Sequence, residues 1–341
     1  MSVKTKFEYK ILDDNIGRVN QILPHKNKWA WELYTKAVKN NWNPDEVGMS
    51  KDKSQWESDV ITPDEKLLVK RCLGFFAGSE SLVSNNLLIN AYKYITDAEC
   101  RQYISVQVKE EALHNHTIVH ICASLNMDSK ELYEAYSNIP AIKAKDDYLI
   151  TVTEDLDIAA KNMDTSSTEF RQKILNNLII YYLICEGVLF YSGFAMLLSL
   201  NQQNKLKGIT EQIEYTVRDE SLHVQFGTAL INKIVEEYPE LWTEEYKEKV
   251  KGYFDKAIEL EERYAKDVLP RGILGLNAEM FSSYIKFVSN RRMAGINLPY
   301  SYGKQVNPFP WLSEAMDLRV CTNYFEGKAK EYQAGALVDD F

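Results

Sequence analysis

Residues 104, 107, 111, 114, 118 and 121 (Ile, Gln, Glu, His, Ile and Ile) recur at the three- and four-residue spacing that lines one helix face. Most of that face is apolar, yet its middle carries a carboxylate and an imidazole. A second pattern runs from residue 178 to 200, LIIYYLICEGVLFYSGFAMLLSL, apolar on every side with Glu186 as its sole formally charged residue. Such a stretch is long enough to cross a bilayer. No second one exists and the rest of the chain is hydrophilic, so the expectation is no membrane span but the central helix of a large bundle. A lone carboxylate there must pair, stay protonated or bind a metal.

The prolines bound the elements. Two long runs, 64 to 139 and 141 to 238, contain none, and helices can propagate through both without proline's ring clash and missing donor. The tetrapeptide TPDE at 62 to 65 reads as a helix start, with Thr62 as N-cap, Pro63 in the first turn and Glu65 closing a capping box. The pattern predicts helices over about 62–94, 98–125, 167–200, 207–235, 243–266 and 277–296, and therefore an all-α fold.

Composition narrows the function. The 341 residues carry a net charge of -9, which disfavours a nucleic-acid partner. Five scattered cysteines without a CxxC pair suggest neither a disulfide framework nor a zinc ribbon, and fit a reducing cytoplasm. The N-terminus lacks the apolar region of a signal peptide. Neither GxGxxG nor GxxxxGK[ST] is present, so no phosphate-cradling loop is evident. From about residue 320 the chain turns small and charged, which predicts a helical domain over 1–319 and a mobile tail over 320–341.

The chemistry lies in a repeat. KEEALH at 109–114 has a twin, RDESLH at 218–223, and each contains Glu-x-x-His, placing both side chains on one face a turn apart. Each follows a carboxylate on an earlier apolar stretch: Glu80 precedes Glu111 by 31 residues and Glu186 precedes Glu220 by 34. Four carboxylates and two imidazoles so arranged suit two adjacent first-row ions in a ferritin-like bundle. The expected ligands are Glu80, Glu111, His114, Glu186, Glu220 and His223. Glu110 falls to one side, Asp219 is expected beside the ligands, where an acid can accept a histidine's free N–H, and His25, His116 and His120 read as surface or structural.

These motifs, with WNPDEVGMSKD at 42–52, FFAGSESLVSNNL at 75–87, CEGVLFYSGF at 185–194, the NRRM and NPFPW segments and EYQ at 331–333, resemble the small, radical-generating subunit of class I ribonucleotide reductase. The resemblance covers most of the chain and implies the same six ligands. It further implies that a metal pair, activated by O2 or a reduced oxygen species, generates an oxidising equivalent. That equivalent would travel through His114, Asp219 and Trp42, then Tyr332 in the tail, to a cysteine of a large catalytic subunit on which the tail docks. A homodimer is also implied.

One position departs from the pattern. Most of the family carries a radical-storing tyrosine four residues after the first ligand histidine, and here residue 118 is Ile, which cannot hold that equivalent. A subgroup resembling the chlamydial enzymes stores it on a manganese/iron pair, so Mn/Fe is the expected cofactor, ahead of dimanganese and di-iron. Two other readings compete. An R2-like ligand-binding Mn/Fe oxidase would need no partner subunit; Val83 and Tyr181 stand where such proteins form a valine–tyrosine cross-link. Metal storage would need neither Trp42 nor the tail.

Overall fold

The computed structural model describes residues 6–13, 19–153, 156–273 and 276–312. The expected docking tail, with Tyr332, lies outside them. Among the described residues run eight principal helices: α1 (Lys28–Lys39), α2 (Pro63–Asn86), α3 (Ala98–Ser124), α4 (Pro140–Val152), α5 (Thr168–Gln203), α6 (Lys207–Glu237), α7 (Glu244–Val268) and α8 (Ala278–Gly295). Among the described residues there is no strand, only an isolated bridge between Ile273 and Leu276. This is the all-α fold the hydrophobic pattern predicts and the ferritin-like bundle the repeated Glu-x-x-His motif predicts.

Helix starts follow local chemistry. Thr62 N–H donates to Glu65 Oε2 at 2.8 Å and Glu65 N–H to Thr62 Oγ1 at 3.3 Å, the reciprocal box read from TPDE. Asp97 caps α3 by accepting from Cys100 N at 3.0 Å. The start of α6 has no such local cap. Leu206 before it is left-handed (φ 49°), and the first amides, Gly208 and Ile209, donate instead to Asp52 at 3.0 and 2.8 Å. That buried acid arrives from a short helix, Ser50–Trp56.

The central rod is α5. The apolar window that resembles a membrane span is wholly buried inside the bundle, with α6 and α7 packed against it and α2 against α3. Two stretches are π-helical: Leu87–Ala91, which continues α2, and Ile179–Leu189, the middle of α5. Single-turn π segments tend to mark functional sites, and the longer one carries Glu186. Around it Arg292 of α8 donates to Gly187 O at 2.9 Å and Lys145 of α4 to Leu189 O at 3.3 Å.

The hydrophobic pattern did not reveal α1 or α4. Pro140, taken as a boundary, sits at the first position of α4, where its missing N–H costs nothing.

Candidate metal centre

The rods α2, α3, α5 and α6 each bring part of one polar cluster into the core. Glu80 comes from α2, Glu111 and His114 from α3, Glu186 from α5, and Glu220 and His223 from α6; none is more than 1% exposed. His114 Nδ1 lies 3.4 Å from Glu80, 3.6 Å from Glu111 Oε2 and 3.2 Å from Glu220 Oε1. His223 Nδ1 lies 3.2 Å from Glu111 Oε1 and 3.3 Å from Glu220 Oε2. Glu111, Glu186 and His223 form a second group of donor atoms within reach of one ion. Glu111 and Glu220 therefore offer one oxygen to each histidine, while Glu80 serves one half of the cluster and Glu186 the other. All six residues expected from the spacing come together.

Oxygens Glu80 Oε2, Glu111 Oε2, Glu186 Oε2 and Glu220 Oε1 are sealed from solvent without a hydrogen-bond donor, as is His114 Nδ1. Leaving such groups unpaired costs about 1–3 kcal/mol each, more when charged. Burial, then repulsion from Glu220 and Glu111, pushes Glu186 well above the usual carboxylate range; Glu80 is pushed up chiefly by burial, against the pull of His114. Burial alone would lower the histidines, but the surrounding acids outweigh it and raise both. The cluster could thus hold cations, and oxygen-rich donors with two imidazoles fit a pair of divalent first-row ions.

Behind the imidazoles the two motifs exchange acids. Asp219, from the second motif, faces His114 of the first, with Oδ2 3.5 Å from Nε2. Glu110, from the first motif, faces His223 of the second, with Oε2 2.9 Å from Nε2. Asp219 Oδ2 also accepts the indole N–H of buried Trp42 at 2.7 Å. Trp42 in turn packs beside Tyr215 at 5.2 Å between ring centroids. Sequence reasoning set Glu110 aside, although its place matches that of Asp219 in the twin motif, and that correspondence is the signal that could have found it. It also missed Gln107, which donates to Glu186 Oε1 at 3.1 Å and accepts from the Tyr182 hydroxyl at 2.9 Å. His116 and His120 both face Asp45 Oδ1 at 3.3 Å, away from the cluster, and His25 lies near Glu99. Ile118 is 3% exposed and part of the core.

A helical bundle whose core presents two Glu-x-x-His motifs and two further glutamates belongs to the dinuclear carboxylate class. Within that class the chain belongs to the ribonucleotide reductase small-chain family, whose model matches residues 19–308. It is 48% identical over 320 residues, 94% of this chain and 92% of the relative, to the ribonucleoside-diphosphate reductase subunit beta of Chlamydia pneumoniae. It is 30% identical over 93% of its length, and 89% of the relative's, to the ribonucleoside-diphosphate reductase small chain of Nicotiana tabacum. The ribonucleotide reductase R2 subunit from Clostridium botulinum superposes with a TM-score of 0.81 at 24% identity, covering 91% of this chain and 95% of that one. An R2-like ligand-binding oxidase shares the fold at a TM-score of 0.66 and 21% identity, over 82% and 99% of the two chains. The protein is thus a small subunit of class I ribonucleotide reductase.

Proposed function

We propose that Glu80, Glu111, His114, Glu186, Glu220 and His223 hold a manganese/iron pair, and that this subunit keeps its oxidising equivalent on those metals. Bound there, the pair would supply, after reaction with O2 or a reduced oxygen species, the equivalent used by a large catalytic subunit to reduce ribonucleotides. The observation that carries the reading is the buried line of close approaches from His114 through Asp219 to Trp42. Asp219 faces His114 Nε2 at 3.5 Å and accepts the indole N–H, so the proton can stay on that hydrogen bond while an electron leaves the Trp42 ring. Ile118 supports storage away from the protein, because no aliphatic group can be oxidised reversibly in that place.

The route continues through Tyr332, and the tail over 320–341 docks on the large subunit. A cytoplasmic homodimer is the working assembly. The test is Tyr332→Phe: metals stay bound and nucleotide reduction with the large subunit disappears, whereas full turnover would remove the tail from the route. Metal quantification with electron paramagnetic resonance should give Mn and Fe in equal amounts with a coupled signal; a tyrosyl signal would overturn storage on the metals. The alternative is an R2-like oxidase without a partner. Val83 and Tyr181 are both buried, and loss of two hydrogens in the intact mass after aerobic metal loading would favour it.

A further inference from the structure

The two halves of the cluster are close to equivalent. Each has one glutamate of its own, Glu80 or Glu186, and one imidazole presented through Nδ1. They share Glu111 and Glu220, and each imidazole has an acid behind Nε2. A pair of unlike ions, if each is to keep its own place, needs something that makes the halves differ. Raw affinity does not supply it, because any N/O site of this kind ranks the divalent metals in the same order.

Neutral hydrogen bonding does make them differ. Gln107 Nε2 lies 3.1 Å from Glu186 Oε1 and 3.4 Å from Glu111 Oε1, the oxygen that faces His223. The amide is itself fixed, because its carbonyl accepts the Tyr182 hydroxyl at 2.9 Å. Tyr182 is buried at 1% exposure, with its ring edge-on to Phe226 at 5.8 Å, and Gln107 is fully buried. Among the described residues no side-chain amide is hydrogen-bonded to Glu80, whose Oε2 faces only His114 Nδ1, at 3.4 Å. The other contrast is behind the rings, where the indole of Trp42 shares Asp219 while Glu110 contacts His223 directly.

We propose that Gln107, held by Tyr182, is the positioning residue that makes the two metal positions unlike and so fixes which ion occupies which. The amide occupies Glu186 Oε1 and leaves Oε2 as that residue's free donor, and it withdraws charge from the Glu111 oxygen on the same side. Glu80 keeps its full donor strength. Outer hydrogen-bond partners of metal ligands commonly change metal affinity by about 10–100-fold when lost, enough to sort two ions of similar size.

The inference rests on the dinuclear reading, and the experiment separates the two. Wild type, Gln107→Leu, Tyr182→Phe and the double variant Q107L/Y182F are loaded with equimolar Mn(II) and Fe(II). Occupancy at each position is then read by anomalous scattering at both metal edges, with total metal per chain measured in parallel. The double variant guards against misfolding, since removing both partners of a buried hydrogen bond costs less than stranding one. Wild type is expected to be ordered, with the Mn:Fe ratio differing between positions. Q107L and the double variant should keep two ions per chain while that difference falls at least about tenfold, and Tyr182→Phe should lie between. Two ions ordered alike in all four proteins would overturn the role of Gln107 and leave the dinuclear reading standing. Fewer than two ions in wild type would overturn that reading and the inference with it.

Discussion

Gly227 on α6 offers the most severe test of how the centre is braced. A Cβ added there would lie 2.2 Å from Tyr182 Cγ and 2.3 Å from Tyr182 Cβ. Helix propensity alone says Gly227→Ala should stabilise α6 by about 1 kcal/mol. Packing says the opposite. The obstructing atoms are the root of a fully buried side chain, so no rotamer relieves them and one of the helices must shift. Overpacking of this kind typically costs about 1–3 kcal/mol, and the upper end, about 3 kcal/mol, applies here. Displacing Tyr182 also weakens its hydrogen bond to the Gln107 carbonyl, roughly 1 kcal/mol more. The net expectation is a loss of about 3 kcal/mol. At about 2 °C per kcal/mol, the low end for large domains, that is a melting point lower by about 6 °C. The assay is thermal unfolding of metal-free protein at matched concentration, so that ion binding does not mask the change. A variant melting at or above wild type would refute the argument from close approach.

Two further outcomes follow from buried charge outside the Glu/His cluster. Asp146 is 4% exposed with neither oxygen hydrogen-bonded, and burial, which outweighs nearby Lys145, pushes it up to about 7 from an ordinary 3.8. The folded state then holds a proton that the unfolded state has lost across that window, so this residue's contribution falls as pH rises from about 4 to 7. Urea melts should show Asp146→Asn gaining on wild type by on the order of 3 kcal/mol between pH 4 and pH 8; an unchanged gap would sink this. Lys145 Nζ pairs with Glu261 at 2.5 Å, both at most 1% exposed, and sits 3.4 Å from the centroid of Phe75. Lys145→Met strands a buried carboxylate and should cost about 3–5 kcal/mol. The pair K145M/E261Q should recover most of that in chemical denaturation, and equal loss in both would show that the ion pair is not the cause.

What the sequence disclosed, it disclosed through period. Six long helices and six clustered side chains are readable because Glu-x-x-His repeats and because a carboxylate inside a wholly apolar helix must pair, stay protonated or ligate a metal. The remainder depends on how the rods meet. Nothing local shows that Asp219 serves the histidine of the other motif, since that exchange exists only once α3 and α6 lie side by side. Asp52 capping α6 from 156 residues away is illegible for the same reason. Gln107 stands on the predicted helix face with no local signal of its role, and its partner Tyr182 meets it only across the packed helices. α4 was hidden by its proline, and α1 by a short amphipathic pattern with no cap hydrogen bond to announce it.

The π-wound middle of α5 has a consequence for how this chain tolerates change in length. Closing each hydrogen bond five residues on rather than four turns the backbone through less than the roughly 100° per residue of an α-helix. Across Ile179–Leu189 that difference accumulates and acts as a vernier between the two ends of the rod. Glu186 is aimed at the buried Glu/His cluster and Ser192, six residues later, at Glu261. Losing a single residue between them would throw one of these partnerships out of phase. Along this helix the spacing itself is under constraint, independently of which side chains occupy it.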